Sequence, residues 1–413
     1  MRWDLIVVGG GIVGCSAALD AARRGMRVVL LERDMPGSAQ SGRNLGFVRQ
    51  QNRDFRELDL MIRARSLWEH MEANLGRSVG WKQGGNLALA FSEAQLEALR
   101  SWQQRGAAEF GLDTRMLSAR EARALVPQLE GNFAGAMYTA SDGRAEPPRV
   151  MRALLDAAID AGVDTSFGEE AGEIVLAAGR VAGVRVGDRL LSADVVAVAA
   201  GAGSAALLRK AGLDLPQERI RATVARTAPR PDLALAPCVS GQETGIRQDI
   251  HGAFILSVAG GEYDVRPDSW RHMHIYRQTM KSNPDAAKIN YLAPLQQVLP
   301  RRGGAPLADF PPSRDRPRPE ARRVEQARQE FARLFPMAAD LPVATCWAGI
   351  IDVLPDVIPA IGAVDRIPGL IVATGFSGHG FGPGPMAGRV IAELAAGRPS
   401  PADISALSPM RFG

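Results

Sequence analysis

The chain has little cysteine, almost no lysine and no long apolar run. Its three cysteines, Cys15, Cys238 and Cys346, stand far apart. That excludes the close pairs of a zinc site and the dense even set of a disulfide scaffold, so no metal site is expected, and it suits a reducing cytoplasm. Lysine occurs only at Lys82, Lys210, Lys281 and Lys288, so nearly all of the 49 basic residues are arginine. They are interspersed with 45 acidic residues for a net charge of +4. No basic stripe with interleaved aromatics is present, and no nucleic-acid partner is expected. A small anionic substrate is compatible with this charge without being required by it. No segment offers the roughly 18 uninterrupted apolar residues that a membrane-spanning helix needs. The first apolar run begins at Leu5 and is broken at Gly9, unlike a secretory signal. The expectation is a soluble, cytoplasmic protein with no transmembrane segment, peripheral membrane contact being left open. There is no internal repeat.

What is present is a globular composition, 46% hydrophobic and 23% charged, over 413 residues. A chain of that length is too long for one ordinary core, and two or more domains are expected. Its organising stretch is Gly9-Gly10-Gly11-Ile12-Val13-Gly14. Before it stands a strand candidate, Leu5-Ile6-Val7-Val8, and after it a helix candidate rich in small residues from Cys15 to Ala22. Gly25 breaks that helix, and Arg27-Val28-Val29-Leu30-Leu31-Glu32 reads as a second buried strand ending in an acid, eighteen residues after Gly14. A glycine motif alone is weak evidence. In this strand–turn–helix–strand setting it predicts a dinucleotide site. Gly9 makes the turn, Gly11 admits the pyrophosphate, Gly14 lets helix and strand pack closely, and the helix N-terminus attracts phosphate. Glu32 is expected to accept hydrogen bonds from ribose hydroxyls. NAD and FAD are equally open at this stage.

Further along, residues 33–52 read as a loop dense in Gly, Ser, Asn and Arg, rich in donors for an extended cofactor. Helices are expected over 54–75, 92–110, from about 118, over 149–161, to about 208, and over 319–334. Ser118 and Glu121 have capping-box spacing. Strands are expected over 84–91, 171–176, 180–186 and 194–200, and in alternation over 219–265, while Ala136-Met137-Tyr138 leads into a turn at Ser141-Asp142-Gly143. The run ending at Ala200-Gly201 reads as a sheet strand beside the first, its backbone facing the cofactor. Residues 266–315 are rich in Pro, Arg and His, with weak periodicity, and read as an inserted helical excursion or a lid. The strand 370–374 then enters Gly375-Phe376-Ser377-Gly378-His379-Gly380-Phe381-Gly382, followed by a last helix over 386–396. This second glycine turn at a helix start favours FAD over NAD: a long ligand would reach both turns, and a helix N-terminus would stabilise negative charge on a reduced flavin.

These features together, with Trp347-Ala348-Gly349 and Pro355-Asp356, resemble the FAD-dependent D-amino-acid oxidase superfamily, closest to its sarcosine oxidase, glycine oxidase and opine/hydroxyproline dehydrogenase branch. The resemblance covers about 1–75, 135–260 and 335–400. It implies an α/β fold, with a Rossmann-like FAD-binding domain (1–75, 147–215, 345–413) interleaved with a substrate domain on a mixed β-sheet (76–146, 216–344) and an insertion near 266–315. It also implies oxidation of the C–N bond of an amino acid or N-substituted amino acid to an imine, by hydride transfer to flavin. Residues carried over for the cofactor are Gly9, Gly11, Ile12, Val13 and Gly14 at the pyrophosphate, and Glu32 and Arg33 at the adenosine. Ser41, Arg43, Asn44, Leu45 and Gly46 match the loop that crosses the flavin. Ala171 matches the adenine contact, Ala200, Gly201 and Gly349 line the site, and Gly378, His379, Gly380, Phe381 and Gly382 lie at the pyrimidine edge. Arg49 matches the arginine that grips the substrate carboxylate, Arg247 is a second candidate, and His379 is a candidate for catalysis.

The departures from that pattern are informative. Cys346 stands just before Trp347, near the cysteine that sarcosine oxidases bond to flavin, while the Trp-Ala-Gly that follows resembles branches with non-covalent FAD; an inert cysteine is the favoured reading. Gly382 replaces a substrate-binding lysine, and Gly252-Ala253-Phe254-Ile255-Leu256 lacks the lysine that promotes reaction with oxygen. A dehydrogenase is therefore favoured, with oxygen, a quinone or a partner subunit left open as acceptor, and a homo- or hetero-oligomer left open too. Competing readings are oxidation of a hydroxy acid and an FAD-binding subunit of a larger electron-transfer complex.

Overall fold

The strand Arg2–Val8 sits inside an eight-stranded sheet and alternates its apolar residues between two cores. Leu5 and Val7 face one, Ile6 and Val8 the other. A strand buried on both faces must be apolar throughout, which is how Leu5-Ile6-Val7-Val8 reads. This computed structural model describes residues 2–282, 287–293 and 310–412. Within it the sheet order is Ala360–Ala363, Leu370–Thr374, Arg189–Val198, Arg2–Val8, Val28–Glu32, Asp164–Phe167. The inner strands are parallel, and Ala360–Ala363 is an antiparallel edge. Strands Ala171–Ala177 and Arg180–Val186 fold back antiparallel onto the start of Arg189–Val198. Helices Ile12–Ala22, Pro147–Asp160 and Gly384–Ala395 share the core of Leu5 and Val7.

A ten-stranded mixed sheet forms the second layer. It runs through strands including Asn86–Ala90, Gly135–Thr139, Thr244–Gln248, Ala253–Val258 and Glu218–Pro229. Helix Ala321–Leu334 and the turn after it close this core through Phe331 and Phe335, which meet Phe254. The strand Val343–Val353, which the expected boundary at 345 would divide, lies whole in this sheet, antiparallel to Glu218–Pro229. The chain thus passes repeatedly between the two sheets, the interleaved α/β arrangement that the resemblance implied.

Several elements differ from expectation. The loop at 33–52 contains a short helix, Gln40–Arg43, and a strand, Phe47–Val48, paired with Gly143–Arg144. Side-chain hydrogen bonds from Asn44 to the carbonyls of Gln40 and Ser41, at 3.2 and 2.7 Å, hold that helical turn together. The first helix starts at Ile12 rather than Cys15, since Gly11 is its N-cap. Asp164–Phe167 is an edge strand with no apolar alternation to reveal it. The capping box of Ser118 and Glu121 is present as read. In the stretch 266–315, helix Met273–Ser282 and strand Ala287–Asn290 are seen. Of the expected lid, residues 283–286 and 294–309 lie outside the described residues.

Candidate functional site

The first glycine turn is built so that only glycine fits. Gly9 has φ of +113°, and a Cβ there would run into the backbone of Ala199 and Ala200. A Cβ on Gly14 would overlap the carbonyl of Gly9, and one on Gly11 would lie 3.0 Å from Ser41 Oγ. The turn is therefore pressed against the residues that follow Arg189–Val198, the strand expected beside the first. The helix that follows has no acid in its first turn and no cap from Gly11. Its Ile12 N–H donates to Ser41 Oγ at 2.9 Å. A first turn of N–H groups backed by a helix dipole, with no acid to compete, suits a phosphate.

Glu32 lies beside this turn. Its Oε2 accepts the Gly10 N–H at 2.7 Å and its Oε1 the Asp34 N–H at 2.9 Å. Burial raises its pKa against the lowering by those two donors. Each carboxylate oxygen has further acceptor capacity for a ribose hydroxyl. Arg33 is paired with Asp315 and lies 3.9 Å from Asp34. Asp34 also accepts from Ser313 Oγ and Arg314 N–H, both at 3.1 Å, so residues 313–315 are bound against the adenosine-side strand end. Ala171 opens its strand opposite Val186.

In the loop, Asn44 Oδ1 accepts the Gly46 N–H at 2.7 Å. Gly46 has φ of +81° with Ala145 O and Arg247 Nε in the space of a side chain. Val13 is packed in the core. The Leu45 carbonyl is taken by Arg247 Nε. Arg43 matters most here. Its carbonyl accepts Trp347 Nε1–H at 2.9 Å and its Nη1 reaches Ala348 O at 3.3 Å. Among the described residues its Nε is buried without a hydrogen-bond partner, an arrangement that invites an acceptor from a ligand. A Cβ on Gly349 would meet nothing nearer than Arg43 Cβ at 3.7 Å, which leaves that strand face clear for a flat ring. Free helix N–H groups, the orphaned arginine nitrogen and this bare face fit FAD.

The second turn is braced by residues that sequence reasoning missed. Asp352, 1% exposed, accepts the Gly375 N–H at 2.7 Å, Gln217 Nε2 at 3.0 Å and Thr374 Oγ1 at 3.2 Å. Gly201 O accepts Gln217 Nε2 at 3.1 Å and lies 3.1 Å from Thr374 Oγ1, whose single proton is shared between it and Asp352, so the turns at 201 and 375 are tied together. The Gly382 carbonyl accepts Trp68 Nε1–H at 2.7 Å, and Phe381 packs on the Trp68 ring. A Cβ on Gly380 would strike Phe376, and one on Gly382 would strike Met61 Sδ. Gly378 has φ of +87° and faces only Ile351.

Arg49 and His379 fall in one electrostatic cluster with Arg53 and Glu57, the latter two also missed. The Arg49 guanidinium donates through Nη1 to the carbonyls of Gln51 and Asn52. Among the described residues it has no carboxylate partner. Burial first, then the Arg53 charge, pushes its pKa down to about 10, so it is still a cation at neutral pH. Arg53 and Glu57 form a buried pair at 3.1 Å, each 3% exposed. Arg53 Nη2 donates to the His379 carbonyl at 3.0 Å and its Nε to the Arg49 carbonyl at 2.7 Å. Beneath Arg49, the buried Asp142 accepts the N–H groups of Gln50 and Gln51 at 2.7 and 3.3 Å.

Arg247 is not in this cluster. Its buried guanidinium makes a two-pronged pair with Glu146 at 2.8 and 3.0 Å and takes the Leu45 carbonyl, so each of its three nitrogens is engaged inside the protein. Cys346 packs with the second-sheet core, whereas Trp347 packs beside Val224, Ile255, Leu45 and Phe310. The cysteine and the tryptophan thus serve different clusters. Among the described residues no group of His, Cys, Asp and Glu is placed to hold a metal ion, and no helix is long and apolar enough to cross a membrane.

Comparison with known proteins agrees with this geometry. The family model described as "FAD dependent oxidoreductase" (DAO) matches residues 4–394. The chain is 26% identical over 278 residues to the mitochondrial sarcosine dehydrogenase of Homo sapiens, covering 65% of this chain but only 30% of that longer protein. It is 25% identical over 338 residues to the glycine oxidase of Geobacillus kaustophilus, covering 76% of this chain and 85% of the relative. In fold it resembles the L-amino acid deaminase from Proteus vulgaris, with a TM-score of 0.89, 20% identity, and coverage of 100% of this chain and 97% of the other.

Proposed function

Because the chain belongs to the DAO family of FAD-dependent oxidoreductases, we propose that it oxidises the C–N bond of an amino acid or N-substituted amino acid, of sarcosine, D-amino-acid or opine type, to an imine. The observation that carries this reading is Arg49: a cation set in the cluster around His379, with its Nε and Nη2 free of acceptors among the described residues. A planar fork of that kind matches a carboxylate. Residues 9–14 and the N-terminus of Ile12–Ala22 would hold the pyrophosphate, Glu32 the ribose, Arg43 and Gly349 the flavin flank, and Gly378 to Gly382 its pyrimidine edge. FAD supplies the two-electron acceptor when bound.

What the chain itself contributes is placement. Arg49 would fix the carboxylate end of the substrate, and with it the position of the Cα–H and the amine. Its backbone is held by Arg53 and flanked by Gln50 and Gln51 on Asp142, so the grip cannot drift. Restricting a bound substrate to one reactive orientation supplies several kcal/mol of the barrier, in the range of about 7–11 for ideal cases. No protein base is required if the amine reacts neutral. The absence of a lysine on 252–256 supports an acceptor other than oxygen.

Anaerobic mixing of the flavoprotein with a panel of D-, N-methyl and opine-type amino acids and of hydroxy acids tests the reading. Bleaching of the flavin by an amine-bearing acid is expected. Bleaching by hydroxy acids and by no amine overturns it.

A further inference from the structure

His379 has an enclosed end and an open end. The side chain is 29% exposed, yet its Nδ1 is buried and has no hydrogen-bond partner among the described residues. The accessible edge is therefore the one that carries Nε2. The carboxylate nearest Nδ1 is Glu57, whose Oε1 lies 3.8 Å away, about 1 Å beyond a hydrogen bond. Glu57 is fixed by Arg53, and Arg53 also holds the His379 backbone through its carbonyl and is held in turn by Trp102 Nε1–H on its own carbonyl at 2.8 Å. Among the described residues the charged groups around the ring are Glu57, Arg53 and Arg49. Burial first, then the two arginines, lowers the pKa of His379 to about 3, so the ring is neutral at working pH.

A neutral imidazole has one N–H and one lone pair. With the lone pair on Nδ1, it would face the Glu57 carboxylate, acceptor against acceptor, in a buried place. With the N–H on Nδ1, that contact becomes attractive, and the lone pair moves to Nε2 on the open edge. The identity of the second-ring partner sets the tautomer of the first nitrogen, as is general for histidine.

We propose that Glu57 and Arg53 are positioning residues that hold His379 as the Nδ1–H tautomer, so that Nε2 accepts a hydrogen bond from the substrate's amine while Arg49 takes its carboxylate. The proposal rests on the amino-acid reading above. It assigns separate partners to the two polar ends of the substrate.

The test is ¹⁵N NMR of the flavin-loaded protein labelled at histidine, with the His379 signals identified by their loss in His379→Gln. The expected result in the wild type, between pH 6 and 9, is a protonated Nδ1 and a bare Nε2. An Nε2–H tautomer there overturns the proposal, and this readout needs no turnover and no change at Glu57 or Arg53. In Glu57→Gln the Nε2–H form should rise at least several-fold; an unchanged tautomer counts against Glu57. Then 2-aminoisobutyrate, which has no Cα–H to lose, is compared with pivalate, its analogue without the amine. The Nε2 resonance should move with the first and not the second. Equal movement, or none, removes the acceptor role. Failure of every amino acid to bleach the flavin would instead refute the amino-acid reading, which the tautomer result leaves untouched.

Discussion

Asp142 offers the sharpest test of the forces beneath the site. It is 1% exposed, and burial raises its pKa from 3.8 to about 6 despite the N–H donors of Gln50 and Gln51 and the charge of Arg49. A carboxyl whose folded pKa exceeds its unfolded value binds its proton more tightly in the native state. Its stabilising contribution is present below about pH 3.8 and is lost as pH rises to about 6. At roughly 1.4 kcal/mol per pKa unit, the full loss is about 3 kcal/mol. Asp142→Asn removes the titration but keeps an oxygen for the Gln50 N–H, so its own cost is an offset independent of pH. Urea unfolding of the wild type and the variant between pH 4.5 and 8 gives a difference in which all other titrations cancel. The wild type should lose ground to the variant as pH rises to about 6.5 and hold level above that. A difference that is flat, or that moves in favour of the wild type, would mean that the donors outweigh burial and that the reasoning is wrong.

Arg49→Met should weaken binding of the reducing amino acid by roughly 10- to 100-fold, the value of about 1.5–3 kcal/mol for a charge-assisted hydrogen-bonded contact; unchanged KM in stopped-flow reduction removes the carboxylate role. Gly14→Ala puts a methyl group on the Gly9 carbonyl, and the purified variant should be colourless, so a normal flavin-to-protein ratio would contradict the turn geometry. Acid precipitation of the wild type should release all of the flavin into the supernatant, because Cys346 packs in the second-sheet core; flavin retained in the pellet, and freed in Cys346→Ser, would show a covalent bond. Glu57→Gln leaves the Arg53 charge buried and should cost about 3–5 kcal/mol, whereas Arg53→Met with Glu57→Leu should cost far less than the two single changes summed. Additive thermal-shift losses would argue that the pair is not coupled.

The parts of the site legible in the sequence are those in which local backbone geometry demands a residue type. Glycines at a left-handed or crowded turn after an apolar strand announce themselves, and both turns were found that way. The parts that were not legible depend on a partner far along the chain. Arg53 and Glu57 have the same i, i+4 spacing as Arg65–Glu69 and Arg105–Glu109, pairs that lie on the surface or partly exposed. Only the packing of Trp102, Trp68 and the 375–384 turn distinguishes the buried pair. Arg247 read as a substrate ligand because Glu146, its partner, is 101 residues away. The loop at 33–52 hid a helical turn because its stabilising bonds come from one asparagine side chain rather than from periodicity.

One regularity joins the two turns. In each, a carboxylate near the end of a neighbouring strand accepts a glycine N–H at 2.7 Å: Glu32 for Gly10, Asp352 for Gly375. Glycine loses more backbone freedom on folding than any other residue, so a glycine turn is the costliest kind of backbone to hold in one shape. A hydrogen bond to a charged acceptor is about twice as strong as a neutral one, and it is placed here on the segments that must be rigid before a ligand arrives. The arrangement carries an electrostatic penalty, since it sets negative charge close to where phosphate or a reduced ring would lie. At the second turn the penalty is met by enclosing Asp352 with Gln217 and Thr374 as further donors. At the first, Glu32 keeps its remaining acceptor capacity on the side where hydroxyls rather than phosphates are expected. Rigid turns and a tolerable local charge are thus secured by the same two acids, which explains why each stands at or near a strand end and not in the glycine motif itself.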